Sequence, residues 1–486
     1  MSKDHRTELS VHREKAILVG VLLPDSKADP RDPLAELTSL ATTAGAEVVE
    51  RIIQQRHSID PGTYIGRGKA EEIGRLVQAH AADVVIFDND MSPNQLRNLE
   101  KLCACKILDR SELILDIFGT RARTREAQLQ VALAQMEYTY PRLRHMWAHL
   151  ERIGSGAGAG VGARGPGEMQ LEIDRRLVRD KISDLKKRIA DVQERKTREV
   201  STRKEQHFTV SLVGYTNAGK STLFNTLTGA GTLVEDKLFA TLDTKTRQWR
   251  LAGGHSGLLS DTVGFVRDLP HHLVASFKAT LEEATHADLL LLVLDISHPH
   301  ATEQLSGVQK VLMDIGCGNQ KAQLLLNKTD AVASPDDLAF WRIKFPAALP
   351  VSAKTGEGVA RLTDLVLRTM LGDLIHAVIS LSLTDSKGIT FLEKYATVLT
   401  RDYQTVPQRV LLEVQISTRI MEQMYNHAHN PAIVRQKLIN QSGPAGPTPM
   451  LVSQLLPAQF GADRVAAPGD CRTGPEKQSS PPTRPS

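Results

Sequence analysis

The stretch Thr209-Val210-Ser211-Leu212-Val213-Gly214-Tyr215-Thr216-Asn217-Ala218-Gly219-Lys220-Ser221-Thr222-Leu223-Phe224-Asn225 decides the fold: an apolar run, a glycine-bounded loop, then a helical pattern. Gly214 and Gly219-Lys220-Ser221 fit G-x-x-x-x-G-K-[ST], in which a strand feeds a loop whose backbone N–H groups point inward at phosphate oxygens. The helix that follows presents its positive N-terminal end to the same anion. The glycines allow backbone angles and a close approach that a Cβ would obstruct. Lys220 reaches the β- and γ-phosphates, and the Ser221 hydroxyl is a ligand for Mg2+. Tyr215, Thr216, Asn217, Ala218 and Thr222 complete the cradle.

The loop alone does not say which nucleotide is held; the downstream segments do. Asp261-Thr262-Val263-Gly264 follows the run Gly257-Leu258-Leu259-Ser260, placing a carboxylate at a strand end to hold Mg2+ through water and a glycine N–H where it can meet the γ-phosphate. Asn327-Lys328-Thr329-Asp330 ends the run Ala322-Gln323-Leu324-Leu325-Leu326, and Ser352-Ala353-Lys354 ends Leu349-Pro350-Val351. A carboxylate at Asp330 can accept from the N1–H and exocyclic amine of guanine, a donor pair that adenine lacks on that edge, so the expected nucleotides are GTP and GDP. Asn327 and the Lys328 stem would brace base and loop, and the Ala353 N–H would meet the guanine carbonyl. Phe239-Ala240-Thr241-Leu242-Asp243 lies where the first switch segment belongs, with Thr241 the expected second protein ligand of Mg2+.

Lys220, Thr241 and Gly264 are therefore the candidate catalytic residues. Phe265 stands where many GTPases carry a water-orienting glutamine, and a phenyl ring cannot hydrogen-bond water. Slow intrinsic turnover follows, with a partner, a monovalent cation or a rearranged switch supplying the rest. Asn217 offers a side-chain carbonyl that could ligate K+; capping of its own loop is the alternative.

At 486 residues the chain has length for about three domains. Its apolar fraction of 41% and charged fraction of 24% are ordinary, while aromatics at 4% argue against stacking platforms for single-stranded nucleic acid. A net charge of +4 means that any polyanion-binding surface arises from local concentration. Cys103, Cys105, Cys317 and Cys471 lack C-x-x-C spacing, and no secretory N-terminus is evident, so a reduced, cytoplasmic setting is expected rather than disulfides or zinc. No apolar run approaches the ~18 residues needed to span a bilayer, leaving at most a peripheral membrane association.

Outward from the loop, alternating strand and helix patterns over residues 15–120 predict an N-terminal α/β domain with a largely parallel sheet. Gly66-Arg67-Gly68-Lys69 within it reads as a turn or an RNA contact rather than a second nucleotide site. Residues 121–206 read as a basic helical hairpin arm. Arg121, Arg123, Arg125, Arg142, Arg144 and Arg152 occupy polar positions, and solvated faces and phosphate contacts are equally open readings for them. Gly154 to Gly167 holds seven glycines and Arg164, either a linker or the tip between two pairing helices. The return helix places Leu177, Ile182, Leu185, Ile189 and Val192 near heptad spacing, and Gln170 to Gln206 carries twelve Lys/Arg against eight Asp/Glu. A P-loop GTPase domain is expected over 207–373, a small α+β domain over 374–440, and a disordered tail over 441–486.

Thr63-x-Ile65-Gly66-x-Gly68-Lys69, Asp109-Arg110 to Arg125, Gly165-Pro166-Gly167-Glu168 with Leu171-Glu172-x-Asp174-Arg175-Arg176, Gly214 to Thr222, Phe239 to Asp243 and Asp261-Thr262-Val263-Gly264-Phe265 together resemble the HflX family of ribosome-associated GTPases, over roughly residues 15 to 375. The resemblance implies binding to the large ribosomal subunit, GTP hydrolysis stimulated there, splitting or rescue of stalled or idle ribosomes, and a hairpin tip reaching toward the peptidyl transferase region. The glycine tract before Arg164 is longer than the family's usual loop. Candidate RNA contacts are Arg121, Arg123, Arg125, Arg164, Arg175 and Arg176, with a monomer expected away from the ribosome. The alternative is a GTP-dependent RNA-modification or ribosome-assembly factor; a signalling switch with protein partners alone is a third reading.

Overall fold

The computed structural model of the chain describes residues 14–24, 31–146, 166–229, 231, 238–239, 244–252, 255–267, 283–332, 334–372, 374–403, 407–426, 432–438 and 449–455. The first sheet has the order β2-β1-β3-β4, all parallel, from β1 (Lys15–Leu22), β2 (Glu47–Gln55), β3 (Val84–Phe87) and β4 (Lys106–Leu108). Period-two alternation divides β1 between two cores. Ile17, Val19 and Val21 meet Ala70, Ile73 and Leu99 of α2 (Arg67–His80) and α3 (Pro93–Cys103). Ala16 and Leu18 join a cluster with Leu37, Leu40, Ile117, Phe118 and Val131 of α1 (Ala35–Ala44), α4 (Arg110–Arg121) and α5 (Arg125–Met146). Ser92 and Gln95 close a capping box at the start of α3, and Asp109 caps α4 by accepting from the Glu112 N–H.

The second of these cores also receives Leu238, Phe239, Val263 and Val266 from the next domain. The Phe239 ring meets Phe118 edge-on at 4.5 Å. Burying a side chain of that size stabilises by about 1.5–3 kcal/mol, so the two domains share a core and do more than touch.

Helix α5 packs beside α6 (Pro166–Gln206) through Leu129, Leu133, Met136, Ile182, Leu185 and Ile189, with Lys186 paired to Glu137 at 2.8 Å. The expected seam therefore forms over Ile182 to Ile189. Leu177, also expected in the seam, is 61% exposed among the described residues. Residues 147–165, with Arg152, Arg164 and most of the glycine tract, lie outside the described residues.

One residue after α6 comes β5 (Phe208–Gly214), and α7 (Lys220–Thr228) follows it. Around β5 the larger sheet runs β10-β9-β8-β5-β7-β6, where β6 is Lys245–Arg250, β7 Ser256–Asp261, β8 Leu289–Asp295, β9 Lys321–Asn327 and β10 Leu349–Pro350. Only β6 is antiparallel to its neighbour on this path. Every residue of the leucine-rich β8 is buried, as a central strand covered on both faces requires. Helices α8 (Ala301–Asp314), α9 (Pro335–Lys344) and α10 (Val359–Leu371) also belong to this domain.

Beyond it, β11 (Leu374–Ser382), α11 (Ser386–Tyr395), β12 (Thr397–Asp402), β13 (Arg409–Ser417), α12 (Thr418–Asn426) and β14 (Ala432–Leu438) form an antiparallel sheet of order β12-β13-β11-β14, a split β-α-β unit. Alternate residues Ile375, Ala377, Ile379 and Leu381 pack with Val410, Leu412 and Val414 onto Leu392 and Met424.

The expected structureless tail from 441 is corrected at residues 450–455. There β15 (Met450–Leu451) pairs antiparallel with Lys321 and Ala322 of β9, and a 3-10 turn follows. Polar composition favours disorder, but Val452 and Leu455, buried to 0% and 1% exposure, find an apolar site on the GTPase domain. Among the described residues, no helix is long and apolar enough to cross a membrane.

Candidate nucleotide site

Gly214, at φ 154°, and Gly219, at φ 93°, bound the turn from β5 into α7. A Cβ on either would run into Val293 or Asn327, so strand and loop meet as closely as glycine permits. Asn217 takes φ 58°, a left-handed conformation that asparagine tolerates better than most residues. Lys220 opens the helix and is buried; its Nζ donates to the carbonyls of Tyr215 at 2.8 Å and Gly214 at 3.2 Å. Burial lowers its pKa to about 8 against the opposing pull of Asp261.

The end of β7 brings Asp261 to this loop, where the Ser221 hydroxyl donates to Asp261 Oδ2 at 2.7 Å. Hydroxyl and carboxylate oxygens are the hard donors that Mg2+ takes, and the pair fits that ion. Thr262 anchors its own strand by donating to Leu212 O at 2.6 Å. Gly264 sits against the loop so closely that a Cβ there would lie 2.8 Å from Thr216 Cα and 3.0 Å from Lys220 Nζ. Phe265 then bridges backbone to backbone: Thr216 N–H donates to Phe265 O at 2.7 Å and Phe265 N–H to Gly214 O at 3.1 Å. Its ring is buried in the domain core, and a phenyl ring has no group to hydrogen-bond water.

Asn327 ties three segments together. Its Nδ2 donates to Ala218 O at 2.7 Å, and its Oδ1 accepts from the Ala353 N–H at 3.0 Å. That second bond ties the loop expected to face the guanine carbonyl to the end of β9. The Ser352 hydroxyl donates to Asp330 Oδ1 at 2.6 Å and itself accepts from the Thr355 N–H at 3.1 Å, which fixes the Asp330 carboxylate. Lys328 adopts φ 62° and pairs with Asp295 at the end of β8, 2.7 Å away. The sequence reading missed Asp295; its one signal was an acid ending an apolar strand. Thr329 opens a 3-10 turn beside Asp330, Thr222 lies in the first turn of α7, and Lys354 is exposed.

The structure does not bring every expected residue here. Phe239 turns its ring into the N-terminal core, because Phe118 and the apolar face of α4 offer it more burial than a polar nucleotide site could. Ala240, Thr241, Leu242 and Asp243 lie outside the described residues. Arg142 is no free phosphate contact either, since it is held by Asp109 at 2.8 Å and stacks 3.2 Å over the Tyr138 ring. Arg123, Arg125 and Arg176 are exposed, Arg121 and Arg175 half-buried, and Arg176 lies 3.9 Å from Asp180 on its own helix.

Three family models match the chain in succession: GTP-binding GTPase N-terminal over residues 31–119, GTP-binding GTPase middle region over 121–203, and 50S ribosome-binding GTPase over 209–328. Among curated proteins, the chain is 42% identical to the GTPase HflX of Lacrimispora saccharolytica over 82% of this chain and 92% of that one. It is 38% identical to the GTPase HflX of Caldanaerobacter subterraneus subsp. tengcongensis over 87% and 96%. With the GTPase HflX of Escherichia coli it shares 42% identity over 76% of this chain and 85% of the relative.

Proposed function

Because the chain belongs to the HflX family of GTPases, we propose that its hydrolysis of GTP is coupled to the large ribosomal subunit, with splitting or rescue of stalled and idle ribosomes as the outcome. One observation carries the reading: α6, 41 residues and therefore about 60 Å long, leads from the hairpin into β5, the strand that ends at Gly214. What the hairpin meets and what the phosphate loop holds are thus joined by one helix and one strand. The 50S ribosome-binding description of the matched family model supports the same partner. Off the ribosome the protein is read as a cytoplasmic monomer, with Arg121, Arg123, Arg125, Arg164, Arg175 and Arg176 as its RNA contacts.

In this reading Gly214 to Thr222 cradle the phosphates, Gly264 offers its N–H to the γ-phosphate, and Asn327, Lys328, Asp330 and the 352–354 loop hold guanine. Ser221 and Thr241 would hold Mg2+, with Asp261 acting through water; the ion, when bound, neutralises charge on the β- and γ-oxygens. Since Phe265 is turned into the core, the carboxamide of Asn217 is the side chain at hand for a monovalent cation. Hydrolysis should run faster in KCl than in NaCl, and Asn217→Gly should erase the difference, glycine keeping the left-handed backbone while removing the carbonyl. Equal rates in both salts for the unmodified protein would leave Asn217 a loop-capping residue.

The arm is tested by shortening Gly154 to Gly167. Light scattering of intact ribosomes mixed with GTP should show dissociation by the full-length protein and none by the shortened one, while basal GTP hydrolysis is kept. The reason is that this stretch contributes none of the nucleotide-site residues. Equal dissociation by the two proteins would return the stretch to a linker.

A further inference from the structure

We propose that Asp109 and Arg110 are positioning residues for GTP hydrolysis, a joint that fixes the hairpin on one side and the segment around Gly264 on the other. They are consecutive at the end of β4 and the start of α4, and both are buried, at 0% and 3% exposure.

Asp109 faces the hairpin. Its Oδ1 accepts from the Tyr138 hydroxyl at 2.7 Å and its Oδ2 from the Arg142 guanidinium at 2.8 Å, both side chains belonging to α5. Arg110 faces the nucleotide site. It reaches Asp88 Oδ1 at 2.6 Å and Glu36 Oε2 at 3.0 Å, and it donates to the carbonyl of Arg267 at 3.2 Å. Arg267, three residues past Gly264, pairs with Asp88 Oδ2 at 2.8 Å. Its N–H lies 2.5 Å from the Tyr215 hydroxyl, which in turn donates to Glu36 Oε1 at 2.6 Å. Tyr215 is a phosphate-loop residue, and its neighbour Thr216 is the one on which Phe265 is bridged.

Two carboxylates and two guanidiniums balance in this cluster, and Asp109 with Arg142 balances beside it. Burial works against the charge of Glu36, yet Arg110, the Tyr215 hydroxyl and Arg267 together hold its carboxyl below the ordinary value. Buried ion pairs add little net stability compared with apolar contacts of the same size, and Leu238, Phe239, Val263 and Val266 already supply apolar contact at this interface. What the charged groups add is direction. Each hydrogen bond fixes an angle, and withdrawing any one partner strands another in surroundings that solvate it poorly, so the members move together. A displacement of α5 that shifts Asp109 therefore shifts Arg110, and with it Arg267, three residues past Gly264, and Tyr215, next to the Thr216 against which Gly264 packs. Given the proposed RNA-binding arm, this joint is where ribosome engagement would reach the nucleotide.

The test uses the full-length protein without ribosomes, so failure of the ribosome reading cannot mimic failure of this one. Tyr138→Phe removes a single hydroxyl, on the hairpin and outside the nucleotide site. It should change kcat for GTP by about fivefold or more with KM for GTP and Kd for GDP held, the size expected of coupling between separate sites. In an Arg110→Lys background, which keeps the charge and loses the two-armed guanidinium, the same substitution should have no further effect. Asp88→Asn serves as a second background should the lysine variant fold poorly. An unchanged kcat in Tyr138→Phe, or an equal effect in the unmodified and substituted backgrounds, overturns the proposal, because independent sites contribute additively.

Discussion

Replacing Asp330 by asparagine is expected to move the nucleotide preference from GTP to XTP. In the folded chain the exposed Asp330 carboxylate is held through Oδ1 by the Ser352 hydroxyl at 2.6 Å, leaving its other oxygen as an acceptor. An amide puts a donor where guanine also carries donors, so two donors are left facing each other. A site built around such hydrogen bonds rejects a mismatched partner by on the order of 10^4-fold. Xanthine carries a carbonyl in place of the exocyclic amine and restores a donor–acceptor match with asparagine. Competition of labelled GDP by GTP and by XTP measures both halves. Unchanged GTP affinity with no gain for XTP would remove Asp330 from base recognition.

Lys220→Ala should abolish turnover without unfolding the protein. Removing one preorganised charge from a phosphoryl-transfer site costs on the order of 10^2–10^3-fold in kcat, and Ser221→Ala should add a loss of Mg2+ dependence through its partner Asp261. The stability side has the opposite sign. Lys220 is buried, and its pKa falls from 10.5 to about 8 chiefly through that burial, so the fold disfavours its charged form. Above the unfolded value both states are neutral and nothing is lost. As pH falls through 10.5 towards 8 the unfolded chain takes up the proton more readily, and stability drops by on the order of 3 kcal/mol, a deficit that persists below pH 8. The alanine variant lacks this deficit, so at pH 7 its Tm should not fall while its hydrolysis does. Normal turnover in the variant, or a collapse of Tm in step with activity, would remove Lys220 from the role assigned to it.

The candidate nucleotide site was legible in the sequence because its segments are local. Each of its four segments ends a strand, and a strand end is read from an apolar run followed by a short polar group: Val210 to Gly214, Leu258 to Asp261, Leu324 to Asn327, and Leu349 to Ser352. The spacing of Gly214, Gly219, Lys220 and Ser221 is itself the geometry, since six or seven residues of turning backbone leave little freedom. Likewise the parallel order of the first sheet followed from strands alternating with helices, which leave a right-handed crossover as the only short connection. The hairpin seam at Ile182, Leu185 and Ile189 was readable from heptad spacing.

Tertiary structure decided the rest, where one local pattern fits two environments. Phe239 sits among switch residues in the sequence, but the Phe118 edge draws its ring into another domain's core. Arg142 reads as one more arginine on a polar face until Asp109 and Tyr138 close around it. Glu36, Asp88, Arg110 and Arg267 lie up to 231 positions apart, in a chain where about a quarter of residues are charged, so no spacing singles them out. Backbone chemistry repeated over a few residues writes itself into sequence. A buried charge is told from a solvated one only by what the fold brings to face it, and that is set by domain packing summed over many weak contacts.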